Sequence, residues 1–211
     1  MTQADTVTRI LDAAEELFAD RGFSETSLRS ITSKARVNLA AVNYHFGSKK
    51  DLIQAVFARF LDPFCRRLDK ALDQLEQDRG QGNIKVEEVL ALVAANMVTG
   101  PADPSTGKRL SVFMRLLGLA YTQSQGHMRR FLRENYYGTY KRVVRVMQAS
   151  KPELSQNDVF WRLHFAIGSA VFSMSSIETL RAMAQNDTQQ DNNVNDVLTK
   201  LVPFIAAGMG Y

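Results

Sequence analysis

Residues 26–52 read TSLRSITSKARVNLAAVNYHFGSKKDL, and two short helices separated by a tight turn can be traced through them. In TSLRSITSKA (26–35), Leu28, Ile31 and Ala35 share one helical face behind Thr26 or Ser27 as the N-terminal cap. A turn follows at Arg36-Val37. NLAAVNYHF (38–46), capped by Asn38, is a further short helix with Leu39, Val42 and Phe46 available for packing, and Gly47 stops it. Ser48, with Asp51 three residues on, reads as the capping box of the next helix. Lys49 and Lys50 therefore fall in a first turn whose free amides are already positive, an arrangement unfavourable by about 0.3–1 kcal/mol per cation. A docked anion reverses the sign, because amides and ammonium groups then act together on a phosphate, and Tyr44 and His45 would add donors beside them.

Upstream, Val7, Ile10, Leu11, Ala14, Leu17 and Phe18 recur at helical spacing opposite Asp12, Glu15, Glu16 and Asp20, an amphipathic helix ending near Gly22. Charge is distributed unevenly across this region. Residues 24–50 carry Arg29, Lys34, Arg36, Lys49 and Lys50 against Glu25 alone, whereas residues 1–23 carry Arg9 and Arg21 against five carboxylates. Two short helices about a tight turn match the helix-turn-helix geometry, in which the second helix enters the major groove of DNA. The same geometry also serves as plain packing, and it is the cations at the next helix start that favour DNA.

Further along, a long helix runs from Lys49 through at least Leu72, DRGQGN (78–83) and GPADPSTGK (100–108) are loops, and helices fall near 85–98, 109–122, 127–149, 156–184 and 193–208. Ser155 and Asp158 form another capping box. No alternating strand pattern is present, so the class is all-α, divided into a three-helix helix-turn-helix unit over 1–48 and a larger helical unit over 49–211. The run VFWRLHFAIGSAVFSMSSI (159–177) is apolar or small around most of its circumference, so it must be buried on more than one side. Phe165, Gly168 and Phe172, with Val202 of the last helix, are expected at a homodimer interface; the alternative is an inner core helix.

Composition narrows the function classes. The net charge of +4 is too mild to prove a polyanionic partner. Hydrophobic residues make up 45% without any run of about 18 apolar residues, and MTQADTVTRI lacks a signal-peptide pattern, so the expectation is a cytoplasmic protein with no membrane partner. The single cysteine, Cys65, reads as a small core residue. His127 and His164 have no ligand at metal spacing, Glu15-Glu16 and Glu87-Glu88 read as solvated faces, and no nucleophile elbow or phosphate loop is present; no catalytic residue, metal or cofactor is expected.

Residues 10–57, ILDAAEELFADRGFSETSLRSITSKARVNLAAVNYHFGSKKDLIQAVF, resemble the DNA-binding domain of the TetR family of bacterial transcriptional regulators in order and spacing. The hallmark is a Tyr-His-Phe ending the recognition helix before a short turn and a Lys, here Tyr44, His45, Phe46 and Lys49. The resemblance implies that Thr26, Ser27, Tyr44, His45 and Lys49 bind phosphates of a double-stranded operator while Asn38, Leu39, Ala40 and Asn43 face base edges. Three positions depart from the pattern: Arg36 and Ala40 stand where Gly is usual, and Asn43 where an aromatic residue is frequent. A left-handed Arg36 costs about 1–2 kcal/mol, which its charge offsets if it reaches a phosphate. Asn43 can pair bidentately with adenine.

LSVFMRLLGLAYTQSQGHMRRFL (110–132) and FWRLHFAIGSAVFSMSSIETLRAMA (160–184) are similar to the fatty-acid-responsive repressors of β-oxidation genes within that family. This implies an effector-binding and dimerisation domain and a long-chain fatty acid or its acyl-CoA thioester as inducer. Phe57, Phe60, Phe64, Met97, Phe113, Met114, Leu117, Tyr121, Phe131 and Tyr140 could line an apolar cavity, although such a stripe also suits ordinary packing. Arg115 interrupts the apolar run 112–120, and its partner is a ligand carboxylate, a protein carboxylate or solvent. Arg129, Arg130, Arg133, Lys141, Arg142 and Arg145 form a basic face, solvated or attracting an acidic coenzyme. The competing readings are a DNA-binding module that no ligand controls, a regulator for another hydrophobic effector, and a carrier or enzyme for acyl chains.

Overall fold

The helix-turn-helix segment is built from caps that its own sequence supplies. In the computed structural model, which describes residues 3–80, 83–98, 105–123 and 126–209, helix α1 spans Gln3–Glu25, α2 Leu28–Ala35 and α3 Leu39–Phe46. Gly22 leaves the helical path at φ 81°, and the Thr26 hydroxyl returns to donate to the carbonyls of Leu17 (3.0 Å) and Gly22 (2.8 Å). Ser27 caps α2 through a reciprocal box with Ser30, and Asn38 caps α3 by accepting from the Ala41 N–H at 2.8 Å. Gly47 ends α3 at φ 77°, a backbone angle that an L side chain resists.

Helix α4 (Lys49–Arg79) follows, then α5 (Val86–Val98), α6 (Ser105–Thr122), α7 (Gly126–Ser150), α8 (Gln156–Ser175), α9 (Ile177–Thr188) and α10 (Val194–Gly208). Among the described residues there is no strand, so the protein is all-α, as the pattern reading predicts. Ser48 caps α4 by accepting from the Asp51 N–H, but the Asp51 carboxylate takes the Ser48 hydroxyl rather than its backbone amide, so half of the expected box forms. The Ser155–Asp158 box forms in full.

Three boundaries differ from the sequence reading, the slightest being that α4 runs through Arg79, two residues into the expected loop 78–83. The expected helix over 156–184 is two helices: Ser176 sits at φ −105°, ψ 16°, and α9 restarts with Ile177 turned into the core. Three serines at 173, 175 and 176 explain the break, because serine hydroxyls compete for helix carbonyls; that of Ser175 donates to Phe172 O at 3.3 Å. Helix α6 begins at Ser105, so the end of the expected loop 100–108 is helical, while its residues 100–104 lie outside the described residues.

Two buried clusters hold these helices. One joins Ile10, Ala14, Phe18, Ile31, Val42, Leu52 and Phe57 of α1–α4 to Leu110, Phe113, Met114 and Leu116 of α6. The other joins Phe64, Leu68 and Leu72 of α4 to Val89 of α5, Met147 of α7 and Leu163 of α8. Helix α7 packs on α4 and α5, whereas α8 packs on α6 and α10. Gly118 permits the α6–α8 approach, since a Cβ there would lie 3.1 Å from a Val171 methyl.

Candidate DNA interface and ligand cavity

Helix α3 buries Val42 and presents its other side to solvent: Leu39, Ala40, Asn43 and Tyr44 are exposed, Tyr44 to 78%. Ser27 at the start of α2 is exposed as well, and His45 and Lys49 are half-buried beside them. Arg36 closes α2 in the left-handed conformation (φ 53°, ψ 48°) with its side chain exposed. Its N–H donates to Ser33 O, while the Arg9 guanidinium donates to the carbonyls of Ala35 and Arg36. A cation from α1 thus occupies the negative end of α2 and fixes the turn from which α3 departs.

Several expected contacts need correction. Thr26 is fully buried, and its hydroxyl is committed to Leu17 and Gly22, so it serves the fold rather than a phosphate. The Asn38 carbonyl oxygen is spent on the α3 cap, which leaves only its amide NH2 outward and rules out a bidentate base contact in this conformation. Lys49 donates to Ser24 O at 3.3 Å, tying α4 to the α1–α2 junction, and Asp51 adds a carboxylate to the same helix turn. The lysine therefore has a reason to be there in the protein alone. Lys34 is paired with Glu16 at 2.8 Å.

The larger helical part encloses a cavity of about 610 Å³, within the usual range of small-molecule sites. Of the residues expected around it, Phe60, Phe64, Met97, Phe113, Met114, Leu117, Tyr121 and Tyr140 line the wall, with Phe60 and Phe113 stacked at 3.8 Å between centroids. Three do not reach it. Phe57 is fully buried between Phe23 and Phe113, and Phe131 packs against the first core cluster and the Tyr136 ring. Arg115 points outward, 3.8 Å from Asp20 and 3.4 Å from Ser175 O, because the helical period turns position 115 away from the face that carries Phe113, Met114 and Leu117.

The sequence reading missed other wall residues: Cys65, Tyr136, Thr139, His164, Ile167 and Val171 among them. Their signal was position on the inner faces of α4, α7 and α8, legible only once packing partners are known. Burial pushes the Cys65 thiol up to about 11, so it lines the wall as an uncharged thiol. Tyr136 donates to Asp62 at 2.7 Å and Thr139 to Asp69 at 2.8 Å, while His164 Nδ1 bonds to Phe160 O at 2.7 Å.

On the opposite face of α8, Trp161, Phe165 and Phe172 are 52%, 66% and 63% exposed, and a Cβ at Gly168 would meet nothing within 4 Å. Val202, expected beside them, faces the cavity with Leu198, Leu201 and Ile205; the exposed aromatic of α10 is Phe204. Among the described residues no cluster of three or more potential ligands could hold a metal, and no helix is long and apolar enough to cross a membrane.

A capped two-helix turn with an exposed second helix, set on a helical body that holds an apolar cavity, defines a helix-turn-helix protein with a cavity-bearing helical domain. The description "Bacterial regulatory proteins, tetR family" matches residues 10–56, and "Tetracyclin repressor-like, C-terminal domain" matches residues 102–208. The chain belongs to the TetR family of DNA-binding transcriptional regulators. It is 31% identical over 91 residues to YttP of Bacillus subtilis, described as a probable HTH-type transcriptional regulator, covering 43% of this chain and 42% of that one. It is likewise 31% identical over 99 residues to the nicotine-responsive repressor HdnoR of Paenarthrobacter nicotinovorans, covering 47% and 49%. These matches span less than half the length of either relative. The fold is shared with HlyIIR, a hemolysin II transcriptional regulator (TM-score 0.63, 16% identity, 96% and 98% covered), and with FadR of Bacillus subtilis in complex with stearoyl-CoA (TM-score 0.61, 17% identity, 95% and 98% covered).

Proposed function

We propose that this protein is a homodimeric repressor whose α3 helices read two operator half-sites and whose release is driven by a long-chain fatty acid or acyl-CoA in the cavity. The apolar cavity carries this reading: a wall of Phe, Met, Leu and Val side chains offers an acyl chain burial and adaptable shape. The FadR structure that holds stearoyl-CoA has the same fold, which supports the choice of ligand. Residues 1–48 form the DNA-binding unit and 49–211 the effector and dimerisation unit. Ser27, Arg36, Tyr44, His45 and Lys49 meet phosphates; Leu39, Ala40 and Asn43 face the bases, and Asn38 adds its amide donor. Trp161, Phe165, Gly168, Phe172 and Phe204 form the dimer face, since that much exposed aromatic surface along one stripe favours a partner over water. Two symmetric subunits place their recognition helices about 34–36 Å apart, or a multiple of that.

A gel-shift on DNA upstream of the protein's own gene, titrated with oleate and oleoyl-CoA, tests the whole reading. A retarded band that disappears as either ligand is added is the expected result. A band indifferent to every acyl ligand points to another effector or none, and acyl binding without any DNA affinity defeats the regulator.

A further inference from the structure

The basic face of α7 divides in two. Arg142 is held by α4, at 2.6 Å from both Asp73 and Glu76, and Arg145 shares Glu76 at 3.3 Å. Those two charges are neutralised within the protein. At the other end of the helix, residues 126–133 carry Arg129, Arg130 and Arg133 and no carboxylate. Arg133 belongs to the cavity wall and lies over the Tyr137 ring, 5.6 Å from its centre. Arg129 and Arg130 are exposed, and neither has a carboxylate within ion-pair distance among the described residues.

The register of α7 on α4 sets where these two arginines stand. Tyr136 donates to Asp62, Thr139 to Asp69, and Arg142 to Asp73 and Glu76, so the helices run side by side in the same direction and their first turns adjoin. His127 of α7 is accordingly near enough to α4 for Lys50 and Asp51 to act on its imidazole. Met128 is fully buried in the cluster that holds α1–α4, and Gln123, at the end of α6, leans on Gly22 before the α1–α2 junction. Only Gly47 and Ser48 separate the start of α4 from the exposed helix α3. Arg129 and Arg130 therefore stand at the end of the molecule that carries Lys49, Lys50 and the recognition helix.

We infer that Arg129 and Arg130 bind operator phosphates adjacent to those met by Lys49, so that the larger helical unit grips DNA directly. This rests on the placement of Lys49 at a phosphate proposed above. Two helix starts, each already positive, lie side by side, and their first five residues carry Lys49, Lys50, Arg129 and Arg130 against Asp51 alone. Cations at such positions are unfavourable in the protein by itself, and a polyanion docked on this side reverses the sign. Duplex backbone is the polyanion that fits, because the patch continues the surface of a DNA-binding domain and a run of phosphates meets several separated cations at once. Phosphate contacts carry no sequence information, so the arginines add affinity rather than selectivity. They also tie that affinity to the position of α7, whose Tyr136 and Thr139 belong to the cavity wall.

Fluorescence anisotropy at several salt concentrations and ethylation interference test this, on a duplex obtained with the full chain by binding-site selection. The proteins are the wild type, Arg129→Gln/Arg130→Gln and Arg129→Lys/Arg130→Lys. With two contacts in each of two protomers, the glutamine variant should lose about 3.6 from the slope of log K against log salt, and on the order of tenfold in affinity at physiological salt. The lysine variant should keep most of both, since phosphates respond to the charge. Interference should vanish at phosphates adjacent to those that Lys49→Ala frees, while the selected sequence stays the same. Both side chains are exposed, and an unchanged thermal melt together with rescue by lysine separates a lost contact from a lost fold. An unaltered salt slope overturns the inference. So does a lower slope with the wild-type interference pattern, which makes the arginines a distant field rather than contacts. If Tyr44→Phe and Lys49→Ala also leave the wild-type pattern untouched, it is the DNA face assigned to α3 and α4 that fails.

Discussion

Replacing Arg36 by glycine should raise the stability of the protein while weakening its hold on DNA. Arg36 sits at φ 53°, ψ 48°, where a Cβ crowds the following carbonyl at a cost of about 1–2 kcal/mol. Glycine removes that clash but adds about 0.4–1 kcal/mol of chain entropy to the unfolded state. The difference, about 0.5–1 kcal/mol in favour of Arg36→Gly, amounts to a rise in Tm of about 1–4 °C for a chain of this size. Affinity for DNA should move the other way. Each lost phosphate contact removes about 0.9 from the slope of log K against log salt, so two protomers on one operator lose about 1.8. Arg36→Ala separates the effects, since it deletes the charge and keeps the strained Cβ: the same change in slope, without the thermal gain. Thermal unfolding by circular dichroism and fluorescence anisotropy on labelled operator at several salt concentrations measure both. A lower Tm for Arg36→Gly refutes the strain argument, and an unaltered salt slope removes Arg36 from the interface.

Asn43→Ala should change which operator variants are preferred, whereas Tyr44→Phe should weaken all duplexes alike; a uniform loss from Asn43→Ala in a binding-site selection contradicts its contact with a base. Thr26→Val should cost about 1–2 kcal/mol in urea unfolding, because it strands the Leu17 and Gly22 carbonyls, and should leave the affinity of the folded protein for DNA unchanged. Arg115→Ala should leave acyl-ligand affinity within about twofold by calorimetry, since its exposed pair with Asp20 is worth little. Burial first, and the Lys50 ammonium second, hold the His127 imidazole below its ordinary value, and its Nε2 is buried without a hydrogen-bond partner among the described residues. The stability it contributes is therefore present above the unfolded pKa of about 6.5 and lost as pH falls through the lower folded value. His127→Gln should flatten that part of the profile in pH-dependent thermal melts; an unchanged slope below pH 6 rules the histidine out as its source.

Local signals in the sequence carried most of the fold. Caps at Ser27, Asn38, Ser48 and Ser155 and stops at Gly22 and Gly47 act within one turn of chain, so they can be read without knowing what packs where. Reading failed where a residue had two local uses or where a helix face had to be assigned to a neighbour. Thr26 and Ser27 are adjacent hydroxyls with the same propensities, yet one is turned inward by the Gly22 kink and the other caps α2. Arg115 looks buried because its sequence neighbours are apolar, but helical neighbours point in different directions, and it emerges beside Asp20 of α1. Val202 and Phe204 are two residues apart in an apolar helix, and only the position of α8 shows that the first faces the cavity and the second faces solvent.

Helix α6 sits where an effector could be felt by the DNA-binding unit. Phe113, Met114 and Leu117 form cavity wall, and the same helix packs Leu110 and Leu116 into the cluster that contains Ile10, Ala14 and Phe18 of α1. At the α1 end, Gln123 lies so close to Gly22 that a Cβ there would come within 2.9 Å of its amide nitrogen, and Arg115 reaches Asp20. Packed clusters of this kind shift as units rather than deform, because their side chains have few voids to move into. In the proposed function, a ligand that prefers one position of α6 therefore also prefers one position of α1 and the α2–α3 turn, which Arg9 ties to α1 through the Ala35 and Arg36 carbonyls. The coupling required is small: about 1–3 kcal/mol changes operator affinity by about 5–150-fold, and a dimer that must match two half-sites at fixed spacing needs only a preference for the wrong spacing. Such a switch needs no chemical step; the cavity must only be better filled when α6 stands where the two recognition helices no longer fit one face of the duplex.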